Sequence, residues 1–451
     1  MKKTVFFQYI TVILLAVSLG AAFGAAGCGR DNSYTANNSA ATAADAEVPR
    51  LAEPVAVRLI GLDGATWNVI IPEVRMGKLP NIGQTVRRGV SASLASIEPM
   101  KSPRIWTSIA TGKTPEKHGI VDFTQMVTVN GESKKRLVTS NVRKVKALWE
   151  ILSDLQISSS FVAWWASWPA EPAKGPIVSS LGWPFRRTFA LREALDENQG
   201  VTNDRAFPPM IVSEIDPLNV SADTLPPEDL ALVDMDLSDW HYPRDKSYYS
   251  HGRMIAAKYQ PRVLGLYLQG IDATSHPYWN DSSKIALYYE YTDKELTWFF
   301  ETATPNMHII LCADHGFQGL CDQPQSLRFV PPKKQTVPPG ANPFMLQATP
   351  GDHYKFGLLA GIGPLFRTNH TIRRASVMDI CPTLLALLDA PLADDMDGRP
   401  LANLFLPEIW NSREPKTIAT YEDGAKQASD ALESPMDSEV MEALRGLGYA
   451  L

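Results

Sequence analysis

Three apolar stretches of this chain each end in an aspartate, and this pattern limits the fold more than any other feature. The stretches are residues 55–63, 263–272 and 307–314. Near-continuous apolar strands are typical of a parallel sheet that is buried on both faces. In such sheets, ligands bind at the carboxyl ends of the strands. The sequence therefore predicts an α/β fold in which the three carboxylates Asp63, Asp272 and Asp314 meet at one sheet edge.

Histidines accompany two of these aspartates. His276 follows Asp272 by one helical turn, and His315 directly follows Asp314. An aspartate after a strand is also a common turn former and helix cap, so each one alone indicates little. Carboxylate and imidazole together suit divalent ions such as zinc or manganese. The joint pattern therefore predicts a metal site.

A fourth segment, residues 101–112, predicts a helix with a serine at its start. Ser102 is expected as the helix cap, Pro103 at the first helical position and Gly112 at the end. A serine oxygen at a helix N-terminus lies beside free backbone N–H groups, which favour an alkoxide or a phosphate. We predict that Ser102 is a nucleophile, and a plain capping role is the alternative.

Six short motifs follow one another along the chain in a familiar order. They read G61-L-D-G-A-T-W, S102-P-R-I-W-T-S-I-A-T-G, W164-W-A-S-W-P-A-E, G270-I-D-A-T-S-H, A313-D-H-G-F and D352-H-Y. Together they resemble the alkaline phosphatase superfamily, and within it the type I phosphodiesterase/nucleotide pyrophosphatase family. The resemblance runs from about residue 55 to the C-terminus. It implies an alkaline phosphatase-like three-layer α/β/α fold with a mostly parallel central sheet.

The resemblance also implies two divalent metal ions, with zinc expected and manganese as the alternative. One ion would be held by Asp63, Ser102, Asp314 and His315, and the other by Asp272, His276 and His353. Such two-metal sites support in-line displacement at phosphorus. Ser102 would attack the phosphorus atom and form a phosphoseryl intermediate.

One position departs from the family pattern. Nucleotide pyrophosphatases have an asparagine shortly after the H-G-I segment that binds a phosphoryl oxygen, whereas this chain has Phe123 there. Arg104 or Lys113 could supply the missing donor, or each could be a solvated charge. Sulfatases share the fold, but Pro103 directly after Ser102 gives the wrong spacing for their modified residue, so a sulfatase is not expected.

The N-terminus predicts export and lipid attachment. Lys2 and Lys3 precede an apolar stretch that ends in Ala-Ala-Gly-Cys28, which is typical of a lipoprotein signal peptide over residues 1–27. We expect an anchored protein in the periplasm or on the cell surface, and an uncleaved membrane anchor is the alternative. Residues 28–54 contain few large apolar side chains, and this composition predicts a flexible tether.

The catalytic domain is expected over residues 55–451, with an inserted cap at 184–248 where prolines interrupt the α/β pattern. A net charge of −6 with both signs interspersed gives no basic surface for a nucleic-acid polymer. Cys312 and Cys321 could form a disulfide in an oxidising compartment.

The predicted function is hydrolysis of a small-molecule, lipid or glycan phosphoester, preferably a diester. One alternative is a transferase that passes the phosphoryl-linked group to an alcohol or a glycan. Another is a metal-binding surface lipoprotein without turnover, although a nucleophile such as Ser102 would have no purpose in a protein that only binds metal. The sequence does not define the oligomeric state.

Overall fold

A computed structural model describes residues 53–183, 204–221, 224, 225, 229, 232, 241–319, 350–413, 416–422, 426–434 and 437–446. These residues belong to one compact unit, Val48–Leu451. The predicted signal peptide, nearly all of the tether and Cys321 lie outside the described residues, so the signal peptide, the flexible tether and the disulfide stay predictions. Within the described ranges, no helix is both long enough and apolar enough to cross a membrane.

The described residues contain long strands and several strands of only two residues. They are β1 (Ala56–Leu62), β2 (Val90–Ala95), β3 (Thr124–Val129), β4 (Glu132–Leu137), β5 (Ser159–Val162), β6 (Ile177–Val178), β7 (Ala206–Phe207), β8 (Val263–Leu268), β9 (Met307–Cys312), β10 (Gly316–Gly319), β11 (Gly351–Tyr354), β12 (Phe356–Ile362), β13 (His370–Ser376), β14 (Leu392–Ala393) and β15 (Thr417–Ile418).

The helices in the described residues include two long ones in the middle of the chain. They are α1 (Trp67–Arg75), α2 (Pro80–Arg88), α3 (Ser102–Thr111), α4 (Pro115–His118), α5 (Leu148–Asp154), α6 (Val212–Ile215), α7 (His241–Tyr259), α8 (Gly270–Tyr278), α9 (Ser282–Glu301), α10 (Ile380–Leu387), α11 (Pro407–Ser412) and α12 (Asp437–Gly446).

Nine strands form one central sheet in the order β13-β2-β12-β9-β1-β8-β5-β6-β7. The pairs β13-β2, β9-β1, β1-β8, β8-β5 and β5-β6 are parallel, whereas β12 and β7 run antiparallel to their neighbours. The three apolar stretches of the sequence are the adjacent strands β9, β1 and β8, which are buried along almost their whole length. The expected fold, α/β with a mostly parallel central sheet, is confirmed.

Helices cover both faces of this sheet. Successive side chains of a strand point to opposite faces, so Arg58 and Gly61 of β1 face opposite layers. Arg58 donates to the carbonyl of Phe299 in α9 and to Thr302 Oγ1 at 3.0 Å. On the other face, a Cβ atom on Gly61 would come within 2.5 Å of the Trp106 ring of α3. Helices α9 and α3 therefore lie on opposite sides of β1, as a three-layer fold requires.

The sequence pattern predicts helices over residues 145–155, 283–302 and 377–388 and a strand over 158–165, and the observed boundaries differ slightly. The helix expected over 145–155 is α5, and the strand expected over 158–165 is the shorter β5. The helix expected over 377–388 begins as a tight turn at Val377–Asp379 and continues as α10. The helix expected at 283–302 is α9, which begins and ends one residue earlier.

The sequence pattern predicts that regular α/β structure resumes at His251 after the proline-rich segment, but helix α7 already covers His241–Tyr259. Helix α7 starts inside the segment 184–248, much of which lies outside the described residues. Its buried positions include tyrosine, serine, histidine, arginine and aspartate side chains, so the helix lacks the apolar stripe from which helices are recognised in sequence. The described part of the segment also adds the edge strand β7, which pairs with β6.

Candidate active site

The first cluster of candidate ligands lies at the carboxyl ends of β1 and β9. Asp63 directly follows β1, and Asp314 and His315 follow the end of β9 after one intervening residue. The ligand atoms of the three side chains lie within 4.8 Å of one another, and all three side chains are buried. His315 Nε2 is 3.4 Å from Asp63 Oδ1 and 3.4 Å from Asp314 Oδ2. The adjacent parallel register of β1 and β9 brings these residues together.

The second cluster combines a helix with a small antiparallel ladder. Asp272 and His276 lie one turn apart on α8, which follows β8, while His353 lies on β11. Strand β10 starts immediately after His315, and its pairing with β11 places His353 opposite Phe317. His276 Nε2 and His353 Nε2 are each 3.4 Å from Asp272 Oδ1.

The two clusters are in contact. His315 Nε2 lies 4.0 Å from Asp272 Oδ1, and the rings of His315 and His353 stack with their centroids 3.8 Å apart. Gly64 separates them on one side: its φ is +71° and a Cβ atom there would lie 3.1 Å from Asp272 Cα. Because a left-handed φ and a close backbone approach both favour glycine, a side chain at this position would push the clusters apart.

Backbone carbonyls orient two of the imidazoles. His315 Nδ1 lies 3.0 Å from the carbonyl oxygen of Gly316, and His353 Nδ1 lies 3.1 Å from that of Met100. A carbonyl accepts only from a protonated nitrogen, so each ring presents an unprotonated Nε2 towards the carboxylates when it is neutral. Hydrogen bonds of this kind fix metal-ligating histidines in metalloenzymes.

Burial and mutual repulsion dominate the electrostatics of the first cluster. Burial, together with the charges of Asp314 and Asp272, raises the pKa of Asp63 well above its usual range. Burial likewise raises the pKa of Asp314 to about 7. Burial and the nearby His353 hold the pKa of His315 well below its usual range. The protein alone therefore does not stabilise the ionised carboxylates that it gathers here.

The second cluster is closer to balance. Burial alone would raise the pKa of Asp272, but His276 and His353 lower it well below its usual range. Burial would lower the pKa of His353, and its hydrogen bond with Asp272 raises it instead.

A divalent cation fits this arrangement. Asp63 Oδ1, Asp314 Oδ2 and His315 Nε2 are buried and make no hydrogen bond with any described residue, although they face one another. Buried polar atoms are normally satisfied, and a cation among these three would satisfy them while neutralising the two carboxylates. Carboxylate and imidazole ligands are typical of zinc sites. The structure thus brings all six predicted Asp and His side chains together, and their role as ligands remains a prediction.

Ser102 belongs to a segment that is attached to both clusters. Two residues before Ser102, the carbonyl oxygen of Met100 accepts a hydrogen bond from His353 Nδ1. One helical turn after Ser102, Trp106 Nε1 donates to Asp63 Oδ2 at 3.1 Å. Ser102 is 1 % exposed. The start of α3 is therefore held beside both groups of candidate ligands.

The expected capping role of Ser102 is wrong. Lys101 is the N-cap of α3, Ser102 is the first helical residue and Pro103 the second, and no side chain caps this helix end. The helix ends at Gly112 with a φ of 68°, as expected. Because Ser102 does not cap its own helix, its hydroxyl is available for another role.

Sequence reasoning missed two side chains that hold Asp63. The hydroxyl of Tyr267 donates to Asp63 Oδ2 at 2.5 Å, and Trp106 donates to the same oxygen. Trp106 lies four residues after Ser102, so helical spacing could have placed it on the same face. Tyr267 lies within the apolar strand β8, where it reads as a core residue.

Sequence reasoning also missed Asp245, because α7 was not recognised. Its carboxylate accepts from the backbone N–H groups of Gln269, at 3.2 Å, and Gly270, at 2.8 Å. These groups lie at the free N-terminal end of α8, which otherwise has no side-chain cap. Asp245 therefore fixes the helix that carries Asp272 and His276.

Both cations considered as phosphoryl donors have acidic neighbours. Lys113 is 3 % exposed and pairs with Asp395 at 2.7 Å and Glu422 at 2.9 Å. Arg104 lies 3.8 Å from Glu116. Phe123 is buried, and its ring packs edge-on against Trp165 at 5.6 Å.

His118 is a hydrogen-bonding residue in the core. Its Nε2 lies 2.9 Å from Ser108 Oγ, and its Nδ1 accepts from the backbone N–H of Ile120 at 3.1 Å. Burial lowers the pKa of His118 to about 3. The neutral ring therefore ties the 118–120 segment to α3.

An α/β fold with two candidate metal-ligand clusters at one sheet edge is an arrangement typical of metal-dependent enzymes. Residues 57–353 match the family described as type I phosphodiesterase / nucleotide pyrophosphatase. The chain belongs to this family, as its motifs indicated, and it is an enzyme that acts on phosphoester bonds. Small-molecule phosphoesters such as nucleotides fit the family. A sequence search of curated proteins returned no significant match.

Solved structures of two relatives are similar to this chain. Human ectonucleotide pyrophosphatase/phosphodiesterase 5 is 14 % identical in sequence to this chain, with a TM-score of 0.48. The aligned region covers 76 % of this chain and 97 % of the human chain. An inactive form of the murine protein, in complex with AMP, is 15 % identical in sequence, with a TM-score of 0.46. The aligned region covers 74 % of this chain and 95 % of the murine chain.

Proposed function

We propose that this protein hydrolyses phosphodiesters with Ser102 as the nucleophile and two divalent ions, zinc or alternatively manganese. Asp63, Ser102, Asp314 and His315 would hold one ion, and Asp272, His276 and His353 the other. The observation that carries the proposal is the uncompensated carboxylate pair Asp63 and Asp314, whose facing atoms have no hydrogen bond among the described residues. Bound ions would neutralise charge on the substrate and lower the pKa of hydroxyl groups beside them.

The location of Ser102 at a helix N-terminus supports its proposed role as the group that attacks phosphorus. Its Oγ lies at the start of α3, where the helix dipole and free N–H groups favour negative charge on the serine and on the phosphate. Ser102 Oγ would bond to phosphorus while the bond to the leaving alcohol breaks. Water would then break the Oγ–P bond, which restores the serine and releases a phosphomonoester.

Hydrogen bonds from neighbouring residues hold several of the proposed metal ligands in place. Trp106 and Tyr267 fix one oxygen of Asp63, so only its other oxygen faces His315. Asp245 fixes the start of α8, and backbone carbonyls fix His315 and His353. Such orienting contacts are a substantial part of the catalytic effect in sites of this kind.

Substitution of the nucleophile tests the proposal. We expect Ser102→Ala to lose at least about a hundredfold in kcat on a chromogenic diester, because positioning and electrostatic stabilisation remain but covalent catalysis is lost. The variant should still bind both ions, since Asp63, Asp314 and His315 remain, and it should trap no phosphoprotein on rapid quench. Wild-type turnover in Ser102→Ala would show that water attacks directly.

We also propose that the protein is exported and anchored to a membrane through lipid on Cys28. The support is the basic start, the apolar stretch and the Ala-Ala-Gly-Cys28 sequence. Substrates would then be small-molecule, lipid or glycan phosphoesters outside the cytoplasm. Mass spectrometry of the mature N-terminus should find a lipidated Cys28 as the first residue. An unmodified Cys28, or a mature start elsewhere, would refute the anchor without affecting the catalytic proposal.

A further inference from the structure

An aromatic side chain lies where the two clusters meet. Phe317 is on β10, two residues after His315 and directly opposite His353 in the β10–β11 ladder. Side chains that are two residues apart on a strand, or directly opposite in an antiparallel ladder, point to the same face. The strand pattern therefore groups Phe317 with a histidine of each cluster. Phe317 is also fully buried, with 0 % exposure.

The ring of Phe317 packs against candidate ligands from both clusters. Its centroid lies 4.9 Å from that of His276, with the two ring planes nearly perpendicular, and 5.5 Å from that of His353. The ring centroid of His315, in the first cluster, is 6.2 Å away. All three candidate histidine ligands therefore have the same phenyl ring as a neighbour.

Two glycines make room for this ring. A Cβ atom on Gly64 would lie 3.2 Å from Phe317 Cδ2, and a Cβ atom on Gly351 would lie 2.8 Å from Phe317 Cε1. Gly64 separates the two clusters on one side, and Gly351 is the first residue of β11, which carries His353. The backbone around both clusters is therefore shaped to admit Phe317.

A second aromatic side chain connects Phe317 to the surface. Trp279 directly follows α8 and is half-buried. Its ring packs on that of Phe317 with the centroids 5.4 Å apart and an angle of 35° between the planes. An apolar shell of this kind controls the access of water to a metal site and its local dielectric constant. Phe317 and Trp279 thus form an apolar layer next to the imidazoles.

Packing adds to the hydrogen bonds that orient the histidines. An imidazole binds an ion well only when its free nitrogen points to the ion. The carbonyls of Gly316 and Met100 each fix one nitrogen of His315 and His353, but a single hydrogen bond still allows a ring to tilt. Closely packed side chains do not tilt without opening a void. A ring next to all three imidazoles therefore restricts their orientation.

We propose that Phe317 is a positioning residue shared by both metal sites: its ring fixes the imidazoles of His315, His276 and His353 for the two ions. The inference rests on the two-ion site of the proposed function and adds a residue that binds no ion itself. The role differs from that of Asp245, which contacts the start of α8 and so acts on the second cluster.

Truncation of the ring tests this role. In Phe317→Ala, both ions should bind about 10–100-fold more weakly, as is typical when the surroundings of metal ligands are changed; stepwise chelator competition measures this. Cobalt(II) bound at saturation should also give an altered visible absorption spectrum, because the bands depend on the geometry of the ligands. A loss of stability alone would not change the spectrum of fully loaded protein.

Phe366 provides the matched control. It is 2 % exposed and packs edge-on against His308 with the centroids 4.7 Å apart, but His308 lies at the opposite end of β9 from Asp314. In metal-free protein, Phe366→Ala should lower the melting temperature about as much as Phe317→Ala, since both remove a buried phenyl ring. Phe366→Ala should keep the wild-type ion affinities and cobalt spectrum. Equal weakening of ion binding in the two variants would make Phe317 a core residue only.

Leucine at the same two positions decides the matter if an alanine variant does not fold. Phe317→Leu keeps apolar bulk beside the imidazoles, so it should weaken both ions by less than alanine does but by more than Phe366→Leu. Wild-type affinity at both sites in folded Phe317→Leu and Phe317→Ala, or in Phe317→Leu alone when alanine prevents folding, would overturn the proposal. Weakening at the second site alone would overturn the shared role.

These measurements do not depend on turnover. If wild-type protein binds two ions but cleaves no diester, the proposed hydrolysis is wrong, while weaker binding of both ions in Phe317→Ala would still support the positioning role. If wild-type protein binds fewer than two ions, the shared role is wrong as well.

Discussion

The described residues include several buried groups of charged side chains, and two of these groups differ in how their charges are compensated. The first is the metal-ligand edge formed by the two clusters. The second is a four-charge cluster of Arg143, Lys426, Glu150 and Glu171. In the four-charge cluster, Arg143 Nη2 is 2.5 Å from a carboxylate oxygen of Glu150 and 2.5 Å from one of Glu171. Lys426 contacts both glutamates as well, so two cations meet two anions.

The pKa of a carboxylate in the four-charge cluster and the pKa of Asp63 are shifted in opposite directions. In the four-charge cluster, burial would raise the pKa of Glu150, but Arg143 and Lys426 lower it. At the metal-ligand edge, burial and neighbouring carboxylates raise the pKa of Asp63. Burial of charge by itself therefore does not indicate function. An uncompensated charge that faces other metal-binding side chains does indicate function, because the free energy lost in burying it is recovered only when an ion binds.

Removal of metal should have the largest effect of the changes predicted here. We expect chelation to reduce diester hydrolysis below detection, and zinc or manganese to restore it, because Asp63 and Asp314 then repel each other and the phosphate. The melting temperature should also fall, since an ion that binds only the folded protein stabilises it. Activity assays and metal analysis on the same sample check this. Full activity in protein verified as metal-free would show that Asp63 and Asp314 do not need a bound ion for the reaction.

Much of this edge could be predicted from the sequence, for a physical reason. Strands buried on both faces must be apolar, so the residue that ends each run marks the sheet edge. Asp63 and Asp314 were placed in this way, and the order β9-β1-β8 brings them together. His353 could be assigned only by resemblance, because it lies on β11, whose pairing with β10 spans a long separation in sequence.

The sequence was less informative where polar residues are buried. Helix α7 has no apolar stripe, so its role in holding Gln269 and Gly270 through Arg244 and Asp245 was not visible. The four-charge cluster was missed as well, because Lys426 is far from Arg143 in sequence. Charge compensation is a property of the fold, and a pattern of single residues does not reveal it.

Loss of one partner should break the four-charge cluster and leave the chemistry intact. Arg143→Ala leaves the two buried glutamates with Lys426 alone, so the free energy of unfolding should fall by about 3–5 kcal/mol. Urea denaturation measures this change. The activity per folded molecule and the bound metal should stay at wild-type values, because Arg143 belongs to the other region.

A surface ion pair provides the control for Arg143. Arg136 pairs with Glu433, whose side chain is 75 % exposed. Arg136→Ala should therefore lower the free energy of unfolding by less than about 1 kcal/mol. Equal losses in the two variants would mean that burial does not strengthen the four-charge cluster. Loss of metal in Arg143→Ala would mean that the two regions are not independent.

Asp245 gives a smaller and more selective test, because it is a buried carboxylate next to the metal-ligand edge that is already compensated. Burial raises the pKa of Asp245 to about 6, and the backbone N–H groups of Gly270 and Gln269 act against that rise. Asp245→Ala removes the acceptor that fixes the start of α8.

Because α8 carries Asp272 and His276, the ion at the second cluster should bind about 10–100-fold more weakly in Asp245→Ala. The free energy of unfolding should also fall by about 0.5–2 kcal/mol, as it does when a helix loses its N-terminal cap. Stepwise chelator competition resolves the two sites, and the ion at Asp63, Asp314 and His315 should keep its affinity. Asp245→Asn, which retains one acceptor oxygen, should lie in between. Equal weakening at both sites would show that the metal-ligand edge is one cooperative unit, and unchanged binding would show that α8 is held by packing alone.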